Sequence, residues 1–344
     1  MKEQDARRLL VETGKTLLET KLVARTWGNV SCRIDEKSCV ITPSGLDYMK
    51  TGEEDIVKMD TATGLWQGSR NPSGERGVHL AAYRIFSDAG AVIHTHQTYA
   101  TAAGLSPDAG LEMTDDERKQ LGGTGVSEYG LSGSEELIDA VSNVMESGAH
   151  TVIMPHHGVL ICGSDMTEAM DRAMLLESIC RRNVCRLLPP ETGCGDVMEN
   201  AENMADLKPF GKELISGKGD GGYTEVFGTP AAASWAETSL PLCAQIDDMA
   251  QMIGRKIPAA TDMAEAEEGL RRYGAVFIKD CGAAVRAGDP DDLEALKQLV
   301  DKACICALYT RATGVEEELS STNIDRQHHI YISRYAQQKN MTIE

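Results

Sequence analysis

The sequence is short of positive charge. Its 34 lysines and arginines face 53 aspartates and glutamates, for a net charge of −19. A surface of that sign repels nucleic acid and anionic membranes, so neither is an expected partner. Any anionic substrate must be held by local donors against the field of the whole protein. Aromatic residues are scarce too, at 5%, although 42% hydrophobic and 25% charged residues are the proportions of an ordinary soluble globular protein. No apolar run approaches the ~20 residues that a membrane span needs. The charged, helix-periodic start "MKEQDARRLLVETGKTLLETKL" lacks the apolar core of a signal peptide. The 10 cysteines form no CxxC pair, and several fall in apolar strand or helix patterns. They read as small buried hydrophobes in a reducing compartment rather than as a disulfide scaffold, and the expectation is a cytoplasmic protein. No P-loop or GxGxxG fingerprint is present.

What the chain does contain is organised. Its 344 residues are enough for about two domains. Ala6, Leu9, Leu10, Leu17 and Leu18 give residues 3–22 a helical stripe, and strand-like runs follow at 29–34 and 38–42. The spacing then predicts a helix over 74–86, a strand over 91–96, a helix over 134–145, two strands around "HHG" at 156–158, and a helix over 167–188. Helices and short strands mix without regular βαβ alternation. The expected fold is therefore α/β (α+β-like), a central mixed, mainly antiparallel sheet flanked by helices. Residues 189–222 open with two prolines, end in a glycine run and read as a linker between domains 1–188 and 223–344. The second domain partly repeats the first: "TVIMPHHGVLICGSDMTEAMDRAMLLESIC" resembles "AVFIKDCGAAVRAGDPDDLEALKQLVDKACIC", and "AVIHTHQTYATAA" resembles "TEVFGTPAAASWA". Two matches in the same order point to a smaller, diverged copy. In this alignment Phe227, Thr229 and Cys281 replace His94, His96 and His157, so the copy keeps the apolar pattern and loses the histidines.

Those histidines carry the chemistry. Residues i and i+2 of a strand share a face, so His94 and His96 project together. "HHG" supplies a third imidazole, and a catalytic zinc takes three protein ligands and leaves one position open. Glu75 lies at the mouth of a helix and could return to the same place, although a glutamate in a first helical turn also serves as a dipole or capping residue. His79 reads as a helix-surface residue, and His150, His328 and His329 have no assignable role. Three turns, "TWGNVS", "TPSGLDY" and "NPSGE", combine glycine with Ser or Asn. Each can offer backbone N–H groups and a side-chain donor to a phosphate without net positive charge.

Together "TWGNVSCRI", "ITPSGLDY", "PSGERGVHLAAYR", "AVIHTHQTYATA" and "HHGVLICG" resemble, in order and spacing, the class II aldolase/adducin family, within it the bacterial L-fuculose-phosphate aldolase type, over about residues 1–188. The resemblance implies that His94, His96 and His157 bind Zn2+ or another divalent metal. It implies that Glu75 is the catalytic acid/base, and that Gly28, Asn29, Ser44, Gly45, Ser73 and Gly74 cradle the substrate phosphate. The implied reaction cleaves a phosphorylated ketose to dihydroxyacetone phosphate and a small aldehyde through a metal-stabilised enediolate. Sugar-phosphate 4-epimerases, dehydratases and non-catalytic adducin-like interaction proteins share the scaffold. Family aldolases use additional tyrosines; "LEMTDDERKQLGGTG" has none, leaving Tyr129, Tyr331 and Tyr335 as candidates. The family's rings of four imply a homo-oligomer, in which a dimer of this chain, with its degenerate half-domain at alternate positions, would imitate a fourfold ring.

Overall fold

The computed structural model describes residues 1–192, 222–315 and 319–335. Most of the expected linker, 193–221, lies outside the described residues. The chain divides into two units, Met1–Cys180 and Arg181–Glu344.

In the first unit the helices are α1 (Glu3–Glu19), α2 (Arg76–Ile85), α3 (Thr98–Gly104), α4 (Asp115–Gln120), α5 (Glu135–Glu146) and α6 (Met166–Leu187), the last running past the division between the units. The strands are β1 (Asn29–Arg33), β2 (Ser38–Ile41), β3 (Val57–Asp60), β4 (Trp66–Gln67), β5 (Ala91–Thr95), β6 (Thr124–Val126), β7 (Thr151–Met154) and β8 (Gly158–Gly163). They form one sheet in the order β4-β3-β2-β1-β5-β8-β7-β6. Its neighbours pair antiparallel except β6 with β7, so the sheet is mixed and mainly antiparallel, as the sequence predicts.

β5, β7 and β8 are buried along their whole length. Their near-continuous apolar runs suit strands with helices on both faces. On one face, Val78, Ala82 and Tyr83 of α2 and Leu137, Val141 and Met145 of α5 pack on Ile41, Met59, Val92, Met154 and Leu160 of the sheet. α1, with Ala6, Leu10 and Leu17 inward, lies against β1 and β2, and α3 lies against β7 and β8. α3 meets Ile153, whose side chain alternates away from Val152 and Met154 and so lies on the face opposite α2. By the same alternation Val92 and His94 of β5 face α2, while Ile93 does not. The site is thereby placed at the end of β5, on the α2 face.

In the second unit β9 (Tyr223–Phe227), β12 (Ala259–Ala260), β13 (Ala275–Ile278) and β14 (Gly282–Ala287) form a sheet ordered β12-β13-β14-β9, and β10 (Leu242–Cys243) pairs with β11 (Lys256–Ile257). Taken as β9-β14-β13-β12, this sheet has the order and directions of β5-β8-β7-β6, with only the last pair parallel. The register corrects the alignment made from sequence. Thr95 pairs with Val159 one residue after Gly158, and Phe227 pairs with Ala283 one residue after Gly282. Phe227 therefore stands where Thr95 stands, and the positions of His94 and His96 correspond to Val226 and Gly228. The hairpin glycine sets this: a Cβ on Gly158 would lie 2.3 Å from the Thr95 carbonyl oxygen, and one on Gly282 would lie 2.4 Å from that of Phe227. Cys281 still corresponds to His157.

Cys32, Cys39, Cys162, Cys180, Cys281, Cys304 and Cys306 are buried thiols outside any disulfide, and Cys243 is a half-buried one. Cys185 is disulfide-bonded. Among the described residues no helix is long and apolar enough to cross a membrane.

Candidate metal centre

Four side chains from three places in the first unit converge. His94 comes from β5, His96 from just beyond its end, His157 from the β7–β8 hairpin, and Glu75 from the residue that caps α2. Their ligand atoms all lie within 4.8 Å of one another. His94 Nε2 stands 2.9 Å from His96 Nε2 and 3.1 Å from His157 Nε2. Glu75 Oε2 stands 3.0 Å from His94 Nε2, and Oε1 stands 2.9 Å from His157 Nε2.

The protonation of these atoms follows from their neighbours. His94 Nδ1 lies 2.8 Å from the Val159 carbonyl oxygen, a bond it makes only as the N–H donor. In the neutral ring, Nε2 then carries a lone pair, and it points at two more imidazole nitrogens and a carboxylate. Lone pairs do not gather in a buried place unless a cation sits among them. Three imidazoles and one carboxylate are the donor set of a divalent-metal site, and the residues present fit one. Burial alone would raise the Glu75 carboxyl. Positive charge at the His94 and His157 side chains, the charge a metal would bring to the same point, outweighs it and holds the carboxyl well below the ordinary carboxylate range, so it is ionised at neutral pH.

Local structure sets each ligand in place. Gly28, at φ +91°, lets the loop before β1 lie against β5, where a Cβ would come within 2.5 Å of the His94 carbonyl oxygen. His156 takes a left-handed conformation at the hairpin turn (φ +65°), and the His157 N–H donates to Met154 O, which swings His157 rather than His156 into the cluster. Glu177 of α6 accepts from the Tyr99 and Ala100 N–H groups and fixes the start of α3 directly after His96.

The three glycine-bearing turns border the cluster. Ser44 N–H donates to Asn71 O and Ser73 N–H donates to Thr42 O, so the 42–45 and 71–75 turns run side by side. Tyr48 O–H donates to Gly28 O and ties in the third turn. Gly45 and Gly74 are exposed, Ser44 and Gly28 half-buried, and Ser73 buried with its Oγ accepting from Glu75 N–H. Asn29 is buried, and its Nδ2 donates to Glu75 Oε2 at 3.1 Å.

Sequence reasoning misses two residues here. Ser132, in the loop before α5, donates to Glu75 Oε1 at 2.9 Å. His79, expected on a helix surface, is fully buried instead. It faces β1, with Nδ1 2.7 Å from Ser31 Oγ and Nε2 2.5 Å from Asn29 Oδ1. The signal was available: Glu75, His79 and Tyr83 recur every fourth residue on one stripe of α2, opposite the polar Asn29 and Ser31 on one face of β1. Of the candidate tyrosines, Tyr129 sets its ring edge-on to His156 at 5.2 Å, Tyr331 belongs to the second unit, and the Tyr335 side chain lies outside the described residues. His150 stacks on Phe86 and His328 contacts Gln251 O.

The sequence model for the class II aldolase and adducin N-terminal domain matches residues 8–184. Among solved structures, an L-fuculose 1-phosphate aldolase is 31% identical, the match covering 53% of this chain and 86% of that one at a TM-score of 0.48. A sugar-phosphate aldolase from Thermotoga maritima is 22% identical over 53% of this chain and 95% of its own, TM-score 0.47. YgbL from Escherichia coli, described as a candidate aldolase/epimerase/decarboxylase, is 22% identical over 52% and 88%, TM-score 0.48.

Proposed function

Because the chain belongs to the class II aldolase and adducin family, we propose that its first unit is a divalent-metal-dependent lyase that cleaves a phosphorylated ketose to dihydroxyacetone phosphate and a small aldehyde. The observation that carries this reading is the convergence of His94, His96, His157 and Glu75 on one point. His94, His96 and His157 would hold the metal, with zinc the best match to three imidazoles. When bound, the metal supplies a Lewis acid for the negative charge that develops on the oxygens of the three-carbon fragment.

The rest of the work falls to the chain. In the cleavage direction the bond between C3 and C4 breaks and its electrons stay with the three-carbon fragment. The C4 hydroxyl loses its proton as the aldehyde carbonyl forms, and C3 gains one. Glu75, ionised and held on both oxygens by Asn29 and Ser132, moves the proton at the reacting carbon. The Ser44 and Ser73 hydroxyls and the exposed Gly45 and Gly74 amides would donate to the phosphate, with Gly28 completing the border. Binding energy spent on the phosphate then serves the reacting centre. The aligned L-fuculose 1-phosphate aldolase supports a phosphorylated sugar as the substrate class.

The repeated strand order supports reading residues 223–344 as a diverged second copy without metal ligands, with Val226, Gly228 and Cys281 in the ligand positions. A panel of phosphorylated ketoses tests the reaction, each assayed for dihydroxyacetone phosphate, for the 4-epimer and for water loss. Release of dihydroxyacetone phosphate is the expected result. Epimer or dehydrated product in its place would reassign the same residues to one of those reactions.

A further inference from the structure

Glu75 caps α2, and its carboxylate hangs on three rotatable bonds at the edge of the site. Something has to fix which way it faces. Asn29 Nδ2 donates to Glu75 Oε2 at 3.1 Å. The reversed amide would set two oxygens against each other, so Asn29 Oδ1 faces the other way, toward His79. His79 Nε2 lies 2.5 Å from that oxygen and must carry the proton. Nδ1 is then the lone-pair nitrogen, and the Ser31 hydroxyl donates to it at 2.7 Å. Ser31 Oγ in turn accepts from the Tyr83 hydroxyl at 2.8 Å. The far end is held by Arg33, whose guanidinium lies 4.7 Å from the Tyr83 ring centroid and donates to Tyr83 O at 2.6 Å. Asn29, Ser31, His79 and Tyr83 are all buried.

We propose that His79 and Asn29 are positioning residues, the last links of a one-way hydrogen-bond chain, Tyr83 to Ser31 to His79 to Asn29, that fixes the Glu75 carboxylate for proton transfer. The direction of every bond is dictated from one end, because a carboxylate only accepts. The chain orients and does not conduct: burial pushes the His79 imidazole down to about 3, with His94 adding to the shift and Glu75 opposing it, so the ring stays neutral at working pH. Both His79 ring nitrogens are engaged, by Ser31 and Asn29, so His79 offers no ligand atom to a metal. It acts on the reaction through Asn29 alone.

The proposal rests on Glu75 as the acid/base, and its test separates the two. Gln ends at about the reach of His Nε2 and keeps a donor there; Asn ends near Nδ1 and loses it. In the metal-loaded full chain, His79→Asn should slow proton exchange on dihydroxyacetone phosphate roughly 10- to 100-fold in kcat, with metal content and KM kept. His79→Gln should restore most of that loss. Unchanged kcat in His79→Asn, or a loss confined to KM, would overturn the proposal. Independently of any activity, 15N-histidine spectra should show His79 as the neutral Nε2–H tautomer from pH 5 to 8. An Nδ1–H or cationic ring would overturn the chain itself. A wild-type protein inactive in exchange would sink the aldolase reading, while the tautomer would still decide whether the chain of bonds exists.

Discussion

Gly28 is the most exacting position in the site, and replacing it with alanine separates two costs. Its φ is +91°, where an L side chain is strained, and the added Cβ would sit 2.5 Å from the His94 carbonyl oxygen. Strain of that kind costs about 1–2 kcal/mol. Forcing a methyl into filled space costs roughly 1–3 kcal/mol more, and the stiffer unfolded chain returns about 0.5 kcal/mol. The net expectation is a loss of about 2–4 kcal/mol. Two other glycines isolate the parts. Gly110, at φ +70°, has nothing within 4 Å of its Cβ position, so Gly110→Ala carries strain alone. Gly158 has no positive φ, and its Cβ would lie 2.3 Å from Thr95 O, so Gly158→Ala carries the clash alone. In a unit of this size, Gly28→Ala should lower the melting temperature by about 5–12 °C. Gly158→Ala should fall between it and Gly110→Ala, which should lose only about 0.5–1.5 kcal/mol. Calorimetry on the three variants checks the order. The displaced His94 should also weaken metal retention in Gly28→Ala beyond what Gly110→Ala shows. Equal melting of Gly28→Ala and Gly110→Ala would refute the reasoning, because contact with β5 would then cost nothing.

Three further outcomes are expected. Glu75→Gln should keep stoichiometric metal yet lose exchange of a proton on dihydroxyacetone phosphate by at least about 100-fold; persistent exchange would show that another group is the base. Chelation should lower the melting temperature of the first unit by about 5–10 °C, since a ligand at 100 times its Kd stabilises by roughly 2.7 kcal/mol; no shift, together with no metal found by elemental analysis, would refute the site. Asp301, in the second unit, is buried, and desolvation pushes its carboxyl up from 3.8 to about 6, Thr229 O–H donation notwithstanding. The folded state therefore binds this proton more tightly than the unfolded one, so its contribution to stability is present below about pH 4 and is lost as pH rises to about 6. Asp301→Asn should accordingly stabilise the second unit by roughly 2–3 kcal/mol at pH 8 and leave it unchanged near pH 4 by denaturant titration; a pH-independent difference would count against it.

The fold was legible where apolar pattern and backbone punctuation agreed. The runs at 91–96 and 151–163 are too apolar to be anything but interior strands, and the glycine after His157 marks the tight approach between β8 and β5. His94, His96 and His157 stood out because imidazoles are costly guests in such strands. His79 did not, because a polar residue on an amphipathic helix reads as the wet face, and only the β1 partners reveal a polar seam inside the core. Ser132 was out of reach for a different reason: it arrives from a loop 57 residues beyond Glu75, and no periodicity connects them. The pairing of His94 with Phe227 failed by one residue because similarity between short apolar strands does not define register, whereas the hairpin contact does.

Glu177, which closes the start of α3, bears on how the site comes into being. The start of α3, just after His96, is held by a carboxylate 81 positions beyond that histidine, and His157 lies 63 residues from His94. No fragment that emerges early holds more than a pair of ligands. The loop-closure entropy of bringing β8 and α6 back to β5 is met before the cluster exists. On refolding from denaturant, capture of the ion should then follow that long-range strand pairing, and the rate of metal uptake during refolding measures its completion.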